Sequence, residues 1–81
     1  MENVRGKIID IFKELKPELD IEKSTNLIEG GLLDSFDVIE FVSEVGDVFD
    51  IDFPVEEIIP ENFYSLDTIE KIIKKVMEEY R

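Results

Sequence analysis

Apolar positions recur at helical spacing in three stretches of the chain. Val4, Ile8, Ile11, Phe12 and Leu15 share one face of a helix predicted from about Glu2 to Lys16. Pro17 ends it, because the residue before a proline avoids the helical region. A second helix is predicted from Ser35 to Phe49, with Val38, Phe41, Val42, Val45 and Phe49 on one side. The last runs from Ser65, its N-cap, to Tyr80. Leu66, Ile69, Ile73, Val76 and Tyr80 form its stripe, widened by Ile72 and Met77. Before it, Val55 to Ile59 has room for one helical turn, with Pro54 near its start and Pro60 ending it. No hairpin signal or internal repeat interrupts this pattern. The expected fold is all-α: a small four-helix bundle with three longer helices and a short third one, in a single domain over residues 1–81. Its core should gather Phe12, Leu15, Phe41, Val42, Val45, Phe49, Ile69, Ile73 and Val76.

A long connection from about Pro17 to Asp34 joins the first two helices. Loops beyond about 12–15 residues are usually functional or disordered. This one carries Leu19, Ile21, Leu27, Ile28, Leu32 and Leu33, enough apolar anchors to lie against a core. Gly30-Gly31 marks a turn with a positive φ at one of the two.

On an ideal helix of about 100° per residue, the polar face of the second helix is equally ordered. Asp37, Glu40, Glu44 and Asp47 form a stripe about 130° from the apolar one. Phe36 falls about 170° and Ile39 about 110° from the core side. A surface Phe beside an acidic stripe suits a binding anchor, or else a cover for a loop. Asp34 or Ser35 is placed to cap the helix, and Asp37 complements its dipole. Gly46 inside the helix reflects either close packing or tolerance at an exposed site.

Composition narrows the function. The net charge is −12, and all nine basic residues lie outside the stretch from Ser24 to Glu70. Such a surface disfavours nucleic acid and anionic membranes, and suits basic protein partners as well as solubility. No apolar run approaches the length of a membrane span and the start is polar, so the expectation is a cytoplasmic protein. There is no Cys and no His, hence no disulfide, no thiol nucleophile and no His-based acid–base relay for Ser35. Gly30-Gly31 is not followed by the Lys of a phosphate loop, and Asp50 and Asp52 lack the rest of a calcium loop. We expect no catalytic residues, no metal site and no enzymatic activity.

One stretch remains, Gly31-Leu32-Leu33-Asp34-Ser35-Phe36-Asp37-Val38-Ile39-Glu40. A serine opens an acidic amphipathic helix after a long loop. Here the chain resembles the acyl carrier protein family, including peptidyl and D-alanyl carrier proteins. The family signature is Asp-Ser and a large apolar residue with Gly shortly before, matched by Asp34-Ser35-Phe36 and Gly30-Gly31. The resemblance extends through helix lengths, the long loop, the Pro54 region and the last helix. It implies that Ser35, beside Asp34, receives covalent 4′-phosphopantetheine from a phosphopantetheinyl transferase. The thiol of that arm would hold an acyl or aminoacyl cargo as a thioester. It further implies that Phe36, Asp37, Ile39, Glu40, Glu44 and Asp47 face partner enzymes, namely the transferase and activating ligases or synthases with basic docking surfaces. The expected state is a stand-alone monomeric carrier.

Carriers of fatty acid synthesis tend to read Gly-Ala-Asp-Ser-Leu-Asp, whereas this chain has Gly31-Leu32-Leu33-Asp34-Ser35-Phe36. That pattern looks more like D-alanyl carriers and carriers of specialised pathways. Three alternatives stay open at this point: a fatty-acid-synthesis carrier, an aminoacyl or D-alanyl carrier, and an unmodified acidic helical adaptor.

Overall fold

A computed structural model describes residues 3–80, with the Tyr80 side chain outside the description. The expectations placed on Glu2 and on the Tyr80 side chain therefore lie outside the described residues. Three α-helices dominate: α1 (Val4–Leu15), α2 (Ser35–Phe49) and α3 (Leu66–Tyr80). Two single 3-10 turns, η1 (Val55–Glu57) and η2 (Pro60–Phe63), stand between α2 and α3. Among the described residues the only β pairing is an isolated bridge between Thr25 and Ser65.

The expected short third helix is thus two 3-10 turns, and among the described residues the α-helix count is three. Pro60 does not end a helix; it opens η2. A proline at the first position of a helical turn sacrifices no backbone donor that the turn would use. Asn62 then ties η2 back to η1, donating from its side-chain amide to the Glu57 carbonyl at 2.8 Å.

α1 begins at Val4, two residues inside the expected start. Asn3 caps it, its side-chain oxygen accepting the Gly6 N–H at 3.0 Å. α3 is capped at Ser65, whose hydroxyl accepts the Thr68 N–H at 3.4 Å. Thr68 Oγ1 in return accepts the Ser65 N–H at 3.0 Å. This reciprocal arrangement satisfies first-turn donors that a helix leaves unpaired.

The core collects Ile8, Phe12, Phe41, Val45, Phe49, Phe63, Ile69, Ile73 and Val76, all essentially sealed from solvent. Leu15 and Val42, expected within it, are half-buried at its edge. The Phe12 and Phe41 rings stack at 4.5 Å, joining α1 to α2. Phe63 meets Phe41 edge-on at 6.2 Å and so brings η2 into the same cluster. Arg5 clamps α1 to α3, reaching Asp67 at 2.9 Å and Glu70 at 2.8 Å.

The long loop is ordered by its apolar anchors, as their number suggests. Ile21, Leu27 and Leu33 are buried, and Leu19 and Ile28 pack against the core. The Leu27 carbonyl accepts the N–H groups of both Leu32 and Leu33, at 2.9 and 2.8 Å. Gly31 supplies the positive φ, at 82°. This closed loop delivers the chain to the start of α2 in a fixed direction. At the other end of α2, a Cβ on Gly46 would sit 3.1 Å from the Ile51 carbonyl oxygen. Close approach of the returning chain therefore explains that glycine.

Candidate functional site

Ser35 is the first residue of α2, and its side chain is exposed. Asp34 is the N-cap, which decides between the two candidates. The Asp34 carboxylate accepts the Asp37 N–H at 2.8 Å, and the Asp37 carboxylate accepts the Asp34 N–H at 3.1 Å. Two aspartates thus form a capping box around Ser35. Among the described residues, no group hydrogen-bonds the Ser35 hydroxyl. The Ser24 hydroxyl, by contrast, donates to the Asp20 carbonyl at 2.6 Å, and that of Ser65 caps α3. Ser43 is exposed in the middle of α2, away from any helix end.

Beside Ser35 lies an open, mainly apolar cavity of about 280 Å³. Ile28 of the loop, Val38 and Ile39 of α2, Ile58 and Pro60 line it together with Asp34 and Ser35. A larger, more polar depression of about 490 Å³ lies at the opposite end of α2, against Asp47, Asp50 and Asp52, remote from the serine.

The expected outer face of α2 divides into two kinds of residue. Phe36 and Ile39 are 67% and 63% exposed, although both are large and apolar. Among the described residues, Glu40, Glu44 and Asp47 take part in no ion pair. Asp37 differs from the rest of its stripe: although Glu40 is half-buried too, only the Asp37 carboxylate receives a lysine among the described residues, Lys16 Nζ at 2.9 Å. Hydrogen bonding to Lys16, then to the Asp34 backbone, holds the Asp37 carboxyl below its ordinary range despite some burial. The same hydrogen bond raises Lys16. The wheel placed Asp37 among the solvent-facing acids. Its inward engagement depends on a lysine 21 residues earlier, which no local pattern reveals.

Sequence reasoning also missed Val55 on η1, which is 78% exposed, and Val48, Ile59 and Tyr64, which are partly so; Leu32, expected as a loop anchor against the core, is instead partly exposed. An apolar residue beside a proline in a short turn carries no periodicity, so its exposure has no signature in sequence.

These residues fit a covalent arm. The Ser35 hydroxyl is free and exposed, held at a fixed helix start, with an apolar cavity alongside. Such an arm would supply the terminal thiol that a chain without Cys lacks.

Comparison with known proteins agrees with this geometry. The family described as the phosphopantetheine attachment site matches residues 3–76. The D-alanyl carrier protein of Lacticaseibacillus rhamnosus is 35% identical over 77 residues, covering 93% of this chain and 91% of that protein. The D-alanyl carrier protein of Streptococcus uberis is 35% identical over 77 residues, covering 93% of this chain and 92% of its own length. Aminoacyl carrier protein 1 of Bradyrhizobium diazoefficiens is 32% identical over 75 residues, covering 88% and 82%. Members of this family are non-catalytic carriers that bear covalently attached 4′-phosphopantetheine. This chain therefore belongs to the family of phosphopantetheine-binding carrier proteins.

Proposed function

We propose that residues 1–81 form one carrier domain whose arm is attached at Ser35 and whose cargo is an aminoacyl group. The observation that carries the attachment site is the free, exposed Ser35 hydroxyl, set in the Asp34–Asp37 capping box at the head of α2. The other serines are either hydrogen-bonded elsewhere or placed in mid-helix. Two features favour an aminoacyl over a fatty acyl cargo: the Gly-Leu-Leu-Asp-Ser sequence from Gly31 to Ser35, and the relatives named as D-alanyl and aminoacyl carriers.

The partners proposed are a phosphopantetheinyl transferase and an amino-acid-activating ligase, acting in the cytoplasm. Both would meet the outer face of α2, where Glu40, Glu44 and Asp47 steer basic surfaces and Phe36 and Ile39 supply apolar contact. Among the described residues, no helix is long and apolar enough to cross a membrane. A four-helix description is kept here only in the sense that η1 and η2 together occupy the place of a third helix.

The cargo is tested by intact mass measurement of protein isolated from its native host under conditions that preserve thioesters. A mass increase equal to the arm plus one amino acid is expected. A long-chain acyl mass in its place would assign the chain to fatty acid synthesis, and an unmodified chain would favour the acidic adaptor.

A further inference from the structure

The first turn of α2 is held by an unusual concentration of negative charge. A capping box commonly pairs a Ser or Thr with a Glu. Here both members are aspartates, three residues apart and facing each other's backbone N–H. Like charges so placed repel, and a phosphate esterified at Ser35 would add a further anion between them. The stretch from Ser24 to Glu70 contains no basic residue of its own to offset this. Lys16, just beyond the end of α1, does so from outside that stretch. Its Nζ lies 2.9 Å from Asp37 Oδ2, the same oxygen that accepts the Asp34 N–H. The lysine is itself fixed. Its backbone N–H closes α1 on the Phe12 carbonyl at 2.7 Å, and Phe12 stacks on Phe41 of α2. The two side chains of the pair keep 25% and 18% of their exposure, so neither is a freely rotating surface charge.

We propose that Lys16 is a positioning residue for the modification of Ser35: through Asp37 it fixes the capping box on which the attachment hydroxyl stands. The inference rests on Ser35 being the attachment site. In the transfer, a bond forms between Ser35 Oγ and a phosphorus of coenzyme A, and the pyrophosphate bond of that coenzyme breaks. The nucleotide half leaves, and the hydroxyl proton passes to a base of the transferase or to water. Lys16 touches none of these atoms. It acts on where Oγ is presented, so its loss should lower the rate within the complex more than the strength of the complex.

The test is steady-state transfer from coenzyme A by a broad-specificity transferase with magnesium, followed by intact mass, with the full chain as substrate. Lys16→Met removes the charge and keeps the apolar stem. It should lower kcat about tenfold with KM changed by less than about twofold. Lys16→Arg should restore most of the rate. In an Asp37→Asn background, Lys16→Met should have no further effect, because the path through Asp37 is already cut. Circular dichroism confirms that each variant is folded at the assay temperature. A Lys16→Met protein that melts earlier yet turns over at the wild-type rate would reduce Lys16 to a stability contact and overturn the proposal. A raised KM with unchanged kcat would overturn it too, by making Lys16 part of the docking surface. Modification of Ser35→Ala, or none of the wild type, would instead remove the Ser35 reading on which the inference stands.

Discussion

The two faces of α2 carry the same kinds of apolar residue to opposite ends. On the inner face Val38, Phe41, Val45 and Phe49 are buried to within a few per cent of complete enclosure. On the outer face Phe36 and Ile39 remain mostly in water. Exposure of that much apolar surface gains nothing for folding. The inner residues hold α1, η2 and α3 together, and the outer ones are available to a second protein. Scattered exposed apolar residues need no explanation. These two follow Ser35 in the first turns of the same helix, and are accompanied by Glu40, Glu44 and Asp47, which no lysine or arginine among the described residues engages. The difference separates what the sequence spends on stability from what it leaves for encounter.

The comparison breaks most visibly at the inner face. Phe41→Ala removes a ring that stacks on Phe12 and meets Phe63 edge-on. It should cost about 3–5 kcal/mol, a large share of the stability of a domain this small. Thermal or urea unfolding checks this, and wild-type melting would show that the inner face is not the core. Phe36→Ala should leave the melting temperature unchanged. It should raise the dissociation rate of a transferase or ligase by a factor corresponding to about 1–2 kcal/mol, as read by binding kinetics.

Asp34→Ala cuts the boundary between the faces, the helix cap itself. It should cost about 1 kcal/mol in unfolding. Charge reversal at Glu40 and Glu44 together should slow association while sparing the fold. The difference from wild type should shrink as salt is raised, because steering by exposed charge is screened.

The pH dependence of the Asp37 contact offers a finer test. Its folded carboxyl lies below the ordinary value of 3.8. The stability it contributes is therefore complete above that ordinary value and is lost as pH falls through the lower folded one. The melting-temperature gap between wild type and Asp37→Asn should be flat from neutrality to about pH 5 and close in stronger acid. A gap that closed on the alkaline side of neutrality would contradict this assignment. Lys16, raised above 10.5 by the same bond, contributes below its ordinary value and loses that contribution only as pH rises through its folded one.

Much of this was legible in the sequence because it is written in local patterns. The span of α2, its inner stripe, the exposure of Phe36 and Ile39 and the turn at Gly31 follow from periodicity and from the chemistry of Asp, Ser and Gly at helix ends. Three features were not. The stretch from Pro54 to Phe63 is too short to show a period, so two 3-10 turns look like one helical turn and a stop. Phe63, central to the aromatic cluster, sits in that same patternless stretch and earned no place in the expected core. The Lys16–Asp37 pair spans 21 residues and exists only because α1 and α2 pack as they do. Asp37 therefore looked like a free surface acid.

The central claim is that Ser35 alone bears the arm, and peptide mapping after enzymatic transfer from coenzyme A tests it most directly. Wild-type protein should gain one phosphopantetheine, located by fragmentation on the peptide that contains Ser35, and Ser35→Ala should gain none while keeping its helical signal. An adduct that persists in Ser35→Ala, or one mapped to Ser24, Ser43 or Ser65, would contradict the account.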